Sequence, residues 1–279
     1  MQAQSILNRR ALLLGAAASC VLACPDKKPA APAAADRVGP AAAPPPSPAP
    51  ATPSSTSPLQ VVTLGPLTPE EKGGQLIVVL HGWGARGDDL VPLARTLARP
   101  GTRLLVPAAP LPETGGGRAW WHLDQKDRPG RSWKDELPDN HQLSPQVTRA
   151  REAVQALLRD AKERYAPESI ALMGFSQGAI LSLDVAIAAA PAVDRVAVLS
   201  GVVLTDSLPA LHAQPPSAPR PAVFVSHGTS DPVLPFEGGK SIASILEPRG
   251  YKVTWLPFDG GHEIPREVIA KLREFLSGT

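Results

Sequence analysis

The residues best suited to chemistry are Gly174-Phe175-Ser176-Gln177-Gly178, placed where the apolar run Ile170–Met173 meets a helical pattern beginning near Gln177. A serine at such a strand-to-helix turn needs small neighbours, so that a strained backbone can reverse and leave the hydroxyl exposed. The following helix offers its unsatisfied N–H groups and positive dipole end to a developing oxyanion. A serine hydroxyl is a poor nucleophile near neutral pH, so the same chemistry demands a base and a carboxylate that orients the base. Of six histidines, His262 in Gly260-Gly261-His262-Glu263 is best placed, in a loop between a strand ending near Leu256 and the last helix. The best-placed acid is Asp231, in Ser226-His227-Gly228-Thr229-Ser230-Asp231-Pro232, directly after the apolar strand Val223–Ser226. Asp206 and Asp259 are its rivals; the first follows an earlier strand, and the second lies too close in sequence to His262 for an easy side-chain approach. His227 reads as a hydrogen-bonding residue at a strand end rather than a second base. His81-Gly82-Trp83-Gly84 follows the apolar run Leu76–Leu80, and glycines there let backbone N–H donors approach an oxyanion. The expected donors are the backbone N–H groups of Trp83 and Gln177.

These residues need a scaffold, and the pattern after Leu59 supplies one by alternating short apolar runs with helical periodicity. Leu59–Leu64, Leu76–Leu80, Arg103–Val106, Ile170–Met173, Val196–Leu199, Val223–Ser226 and Lys252–Leu256 read as strands; continuous apolar runs of this kind belong in sheets buried on both faces. Pro145–Tyr165 is the clearest helix, with Val147, Ala150, Val154, Leu157, Leu158 and Ala161 at helical spacing, Ser144 as its N-cap and Pro145 in its first turn. Gln177–Ala190 reads as a buried helix, and Ile264–Leu276 places Ile264, Val268, Leu272 and Phe275 on one stripe. Asp88 or Asp89 is expected to cap a helix carrying Leu90, Leu93 and Leu97. Trp83, Trp120, Trp121 and Trp133 could line an apolar cleft, although aromatic residues beside a sheet are more often core. The alternation implies a mostly parallel sheet with helices on both faces.

With these residues in view, the chain from about Leu59 to Leu276 resembles the phospholipase/carboxylesterase family of serine hydrolases. The resemblance rests on Leu80-His81-Gly82-Trp83-Gly84 with Asp89-Leu90-Val91-Pro92-Leu93-Ala94, on Pro107-Ala108-Ala109-Pro110 followed by Arg118-Ala119-Trp120-Trp121, and on Gly174-Phe175-Ser176-Gln177-Gly178. Leu199-Ser200-Gly201, His227-Gly228-Thr229-Ser230-Asp231-Pro232-Val233 and Gly261-His262 complete it. It implies an α/β-hydrolase fold, with Ser176 as nucleophile, Asp231 as acid and His262 as base, and no metal or organic cofactor. The triad order, serine then aspartate then histidine, is the one that fold uses. The chain departs from the family pattern in Gly115-Gly116-Gly117 and in the polar stretch Asp124–Asn140, which reads as a solvated loop or a lid, and Thr205–Pro221 is similarly loose and proline-rich. The leading expectation is therefore a serine carboxylesterase working through an acyl-enzyme on a small-molecule or lipid ester. The alternatives are a lysophospholipase or lipase-like enzyme at a membrane surface and a catalytically silent binding protein, and the complete set of three argues against the last. Acyl-protein thioesterase activity is less expected of an exported enzyme, because its usual substrates are cytoplasmic.

Composition divides the 279 residues into three parts. Asn8-Arg9-Arg10 precedes an apolar run, Ala11–Ala23, in the manner of an export signal. As a helix, Ala11–Cys24 would rise only about 21 Å, short of the ~30 Å hydrocarbon core. Val21-Leu22-Ala23-Cys24 resembles the lipobox of bacterial lipoproteins, and the only cysteines of the chain are Cys20 and Cys24, so no disulfide is expected further on. Pro25–Pro58 holds 11 of the 33 prolines and 10 alanines and reads as an extended linker. Residues 59–279 form the expected α/β-hydrolase domain. Five of the 28 Lys/Arg and two of the 26 Asp/Glu precede Leu59, which leaves a domain charge of −1 and argues against a nucleic-acid partner. With neither a basic surface nor a long apolar span, membrane attachment falls to lipid on Cys24. The expected outcome is that the wild type partitions with membranes and incorporates radioactive palmitate, that Cys24→Ala loses both, and that Cys20→Ala keeps both.

Overall fold

The computed structural model describes residues 59–68, 71–123, 145–188 and 193–278. Cys20, Cys24, the Pro/Ala linker, the Ser144 cap, Trp133 and the Asp124–Asn140 stretch lie outside them, and so does the side chain of Asp206. Seven strands form one sheet in the order β1 (Val61–Leu64), β3 (Thr102–Pro107), β2 (Gln75–Leu80), β6 (Ser169–Phe175), β7 (Arg195–Leu199), β8 (Ala222–Gly228) and β9 (Val253–Phe258). Only β1 runs antiparallel, against β3; every other pair is parallel. A two-residue ribbon, β4 (Leu111–Pro112) with β5 (Arg118–Ala119), stands apart.

The sheet's central strands are apolar throughout because both of their faces are covered. Along β2, Leu76, Val78 and Leu80 enter one core while Ile77 and Val79 enter the other, as a side-chain period of two requires. The first core lies under α2 (Pro145–Tyr165), α3 (Gln177–Ile187) and α5 (Phe236–Leu246); the second lies under α1 (Val91–Leu97) and α6 (Arg266–Ser277). Helix α2 buries the stripe its spacing foretells, Val147, Ala150, Val154, Leu157, Leu158 and Ala161. All eleven residues of α3 are buried, which explains why its sequence shows no polar face.

Several elements differ from the sequence reading. Helix α1 takes Leu90 as N-cap without a side-chain hydrogen bond; Asp89 instead accepts the Arg86 N–H at 3.1 Å, closing the preceding turn, so neither Asp88 nor Asp89 caps the helix. Helix α6 begins only after Pro265, which leaves Ile264 in the loop, and its fully buried stripe is Val268, Leu272 and Leu276. The stretch Thr205–Pro221 carries a helical turn, Thr205–Ser207, and the short helix α4 (Leu208–Ala213). Helix α5 has no counterpart in the sequence reading, because Gly238 and Gly239 weaken its helical signal; a Cβ at either would press on Val202 or His227, so close packing and not local propensity selects them.

One buried ion pair ties the layer of helices together. Asp184 of α3 receives Arg151 of α2 through two bonds, Nε to Oδ2 at 2.7 Å and Nη2 to Oδ1 at 2.6 Å, and also accepts the Ser207 hydroxyl. The Asp184 side chain is wholly buried and that of Arg151 is 15% exposed. Removing one partner of such a pair strands the other. Asp184→Ala should therefore lower the unfolding free energy by roughly 3 kcal/mol, read as a reduced urea midpoint with an unchanged slope.

Candidate active site

Strand order reverses direction between β2 and β6, since β3 lies on one side of β2 and β7, β8 and β9 follow in turn on the other. A crevice forms at such a switch point beyond the carboxyl ends of the strands. Every residue singled out for chemistry leaves one of those ends: Gly82 and Trp83 after β2, Ser176 after β6, Asp231 after β8 and His262 after β9.

Ser176 is the single residue between β6 and α3 and holds φ 55°, ψ −120°, a conformation that costs a side-chain-bearing residue of order 1–3 kcal/mol. Its N–H donates to the Leu199 carbonyl at 2.9 Å. The flanking glycines are dictated by contact: a Cβ on Gly174 would overlap the Gly178 carbonyl, and one on Gly178 would overlap the Leu80 carbonyl. Gly82 lies so near that a Cβ there would sit 3.3 Å from the Cβ of Ser176. A small cleft of about 40 Å³ opens at this turn, with Ser176, His262, Trp83, Phe175, Leu90 and Asp89 among its lining residues.

Asp231 and His262 meet as the sequence reading expects. His262 Nδ1 lies 2.7 Å from Asp231 Oδ2, while Asp231 Oδ1 accepts the N–H groups of Val233 at 2.8 Å and Leu234 at 2.9 Å. The two loops are stitched together by backbone bonds, Thr229 N–H to the Phe258 carbonyl at 2.9 Å and Ser230 N–H to the Gly260 carbonyl at 3.0 Å. Gly228 permits this, because a Cβ there would overlap the Gly261 carbonyl. The His262 ring rests on Phe175, centroids 4.8 Å apart. Burial by itself pushes the Asp231 carboxyl up, but hydrogen bonds from His227, His262 and the Leu234 N–H outweigh it and hold the group well below the usual carboxylate range. The carboxylate hydrogen-bonded to His262 is thus that of Asp231, not of its rival Asp259.

The Gly82–Trp83 loop is braced from several sides, and the sequence reading missed most of the braces. His81 is fully buried; its Nδ1 lies 2.8 Å from the Gly82 carbonyl and its Nε2 accepts the Ala109 N–H at 2.9 Å. One nitrogen must donate and the other accept, which fixes the tautomer. Burial holds the His81 imidazole below its ordinary range, against the opposing pull of the Gly82 carbonyl and of Asp89 and Asp88. Gly84 N–H donates to the Arg118 carbonyl at 2.9 Å, and the Arg118 N–H to the Ala85 carbonyl at 2.8 Å. Gln177 enters the sequence reading only as a backbone donor, yet its side chain accepts the Trp120 N–H at 2.9 Å and donates to the Trp121 carbonyl at 2.7 Å. As the first residue of α3, it has an N–H without an acceptor inside the helix. Trp120 and Trp121 are core residues, 1% and 0% exposed, whereas Trp83 lines the cleft at 41% exposure with its indole N–H on Glu113 at 3.2 Å. A larger groove of about 680 Å³, between α2 and the β4 region, contains neither Ser176 nor His262.

Both shifted groups couple stability to pH. His81 is held below its unfolded value near 6.5, so the unfolded chain takes up its proton first and stability is lost as pH falls below about 6.5. Asp231 is likewise depressed, and its contribution is lost as pH falls below the unfolded value near 4. Unfolding free energy measured against pH should therefore fall in two stages; His81→Gln should flatten the first and Asp231→Asn the second.

The model of the phospholipase/carboxylesterase family matches residues 67–279. Among curated proteins, acyl-protein thioesterase 1 of Gibberella zeae is 35% identical over 112 residues, covering 39% of this chain and 48% of that protein. A probable carboxylesterase of Oryza sativa subsp. japonica is 25% identical over 210 residues, 72% of this chain and 76% of that protein. This chain thus matches about half the length of the first and three quarters of the second. Among solved structures, esterase PE8 superposes with a TM-score of 0.65 at 25% identity, over 79% of this chain and 98% of that one. Zea mays acyl-protein thioesterase 2 does so with a TM-score of 0.60 at 20% identity, over 78% and 98%, a likeness of fold. A mostly parallel sheet flanked by helices, a crevice at its switch point and a match over the whole described domain beyond residue 67 lead to one assignment: the chain is an α/β-hydrolase of the phospholipase/carboxylesterase family.

Proposed function

We propose that the protein is a serine carboxylesterase that hydrolyses carboxylic esters through an acyl-enzyme intermediate. Ser176 Oγ attacks the ester carbonyl while His262 Nε2 takes its proton. The backbone N–H groups of Trp83 and Gln177 receive the oxyanion. His262 then gives the proton to the leaving alcohol, and a water activated by the same imidazole releases the acid and restores Ser176. Asp231 stays ionised, holds the proton on His262 Nδ1 and stabilises the imidazolium. The observation that carries this reading is the 2.7 Å approach of His262 Nδ1 to Asp231, with His262 and a φ-strained Ser176 lining one cleft. That bond occupies Nδ1 and leaves Nε2 for the serine.

The cleft at Ser176 is small, about 40 Å³ against about 680 Å³ for the groove between α2 and the β4 region, which supports short acyl groups in preference to lipid chains. Relatives named acyl-protein thioesterases make thioesters the second substrate class. The reading of the remaining chain as an export signal, 1–24, with lipid on Cys24, and a linker, 25–58, stands beside this one and places the enzyme in the cell envelope.

Ser176→Ala should abolish labelling by a fluorophosphonate and hydrolysis of p-nitrophenyl esters while the unfolding transition persists. Asp231→Asn should reduce kcat by roughly 10³- to 10⁴-fold, whereas Asp206→Asn and Asp259→Asn should leave it within a few-fold. Across p-nitrophenyl esters and thioesters of increasing acyl length, kcat/KM should be highest for acetyl to butyryl. Labelling of Ser176→Ala at the wild-type rate would place the nucleophile elsewhere.

A further inference from the structure

The acid of the proposed triad has a second imidazole. His227, the penultimate residue of β8, is wholly buried, and its Nε2 stands 3.1 Å from the Leu234 carbonyl and 3.3 Å from Asp231 Oδ2. Both neighbours are acceptors, so Nε2 carries the proton and shares it between them. Leu234 is thereby held at both ends, by its N–H on Asp231 Oδ1 and its carbonyl on His227. The opposite side of the ring meets bare backbone: a Cβ on Gly239 of α5 would overlap Nδ1, which has no hydrogen-bond partner. Phe236 approaches edge-on with centroids 6.2 Å apart, and the charged residues of α5, Glu237 and Lys240, are exposed and lie 3.9 Å from each other. Asp231 Oδ2 therefore receives two donors, His262 Nδ1 at 2.7 Å and His227 Nε2 at 3.3 Å.

The N–H groups of Val233 and Leu234 hold Oδ1, and turning the carboxylate about its Cβ–Cγ bond, out of line with His262, would also break the contact of Oδ2 with His227, which no solvent can replace because the side chain is fully buried. We infer that His227 is a positioning residue of the catalytic apparatus: it holds the Asp231 carboxylate turned so that Oδ2 faces His262. This rests on the triad reading above. The conformation of loop 229–235, from the end of β8 to the start of α5, follows from the same contact, since Asp231 and Leu234 are pinned together on one ring.

The test compares His227→Phe, which keeps a planar ring and removes the donor, with His227→Gln, whose amide can place an N–H near the position of Nε2. With p-nitrophenyl acetate, His227→Phe should lower kcat by roughly 10- to 100-fold with KM within two-fold. The acid limb of its kcat/KM profile should move to lower pH, because a less well-aligned Asp231 stabilises the His262 imidazolium less. The far-downfield proton resonance of His262 Nδ1–H should move upfield, a readout that needs no substrate. His227→Gln should recover most of kcat and the wild-type acid limb. A His227→Phe enzyme with wild-type kcat, acid limb and Nδ1–H resonance would overturn the inference, however far its melting temperature fell, and would leave His227 a packing residue. Should His227→Phe fail to fold, His227→Asn, too short to reach Oδ2, carries the same expectations and the same refutation. An inactive wild type that fluorophosphonate does not label would defeat the triad reading instead, with the proton resonance still deciding for or against His227.

Discussion

The passage of the chain from β6 into α3 is the constraint around which this domain is arranged. One residue, Ser176, makes the turn at φ 55°, and it can do so only because Gly174 and Gly178 let three stretches of backbone touch: the strand end, the first turn of the helix and the end of β2. The parallel neighbours β2 and β6 hold that contact in register, with Leu80 paired to Gly174. Helix α3 is buried on every side, so the turn cannot relax by moving the helix away. Backbone strain of this size persists only where packing over-determines it. Here two apolar cores and the Arg151–Asp184 pair supply that packing.

Around that fixed point the loops at the carboxyl ends of the strands carry the polar groups, and each is braced by hydrogen bonds rather than by apolar contact alone. His81 locks the turn after β2 through both ring nitrogens, and the Gln177 side chain ties the start of α3 to Trp120 and Trp121. The acid and base loops are sewn to each other through Thr229 and Ser230. A buried carboxylate is costly unless its lone pairs are satisfied, and Asp231 meets that cost with four donors from two imidazoles and two backbone N–H groups. The same donors keep it charged, which is the state its proposed role requires. The bonds that stabilise the fold near pH 7 are thus also those that hold the groups proposed for catalysis.

The family places the protein among esterases and thioesterases. Trp83 is a large exposed residue in the loop proposed to hold the oxyanion, and Glu113 fixes its indole from the β4–β5 ribbon while also receiving His122 at 2.6 Å. The wall of the cleft is therefore set by a segment remote from Ser176 in sequence.

The strands of the seven-stranded sheet, the long helix and the residues suited to chemistry are legible in the amino-acid sequence, because they depend on local physics. Periodicity reports burial on one or two faces, and glycines flanking a serine report a turn that no larger residue can make. Pro145–Tyr165 appears with the same bounds in both readings, and Asp231 and His262, 31 residues apart, are brought to one hydrogen bond. Interactions between distant segments are not legible in this way. Helix α5 was hidden by two glycines whose purpose is to admit Val202 and His227. Asp89 looked like a cap and instead closes a turn onto Arg86, since the choice between two nearby N–H groups depends on the path of the loop. Trp83 and Trp120 are alike in composition terms, yet one lines the cleft and the other is core, because Trp120 is tied to the Gln177 side chain through its backbone N–H and to the His81 carbonyl through its indole N–H. The second imidazole on Asp231 belongs to this class as well: a histidine four residues before an aspartate says little until a strand end and a helix fold around both.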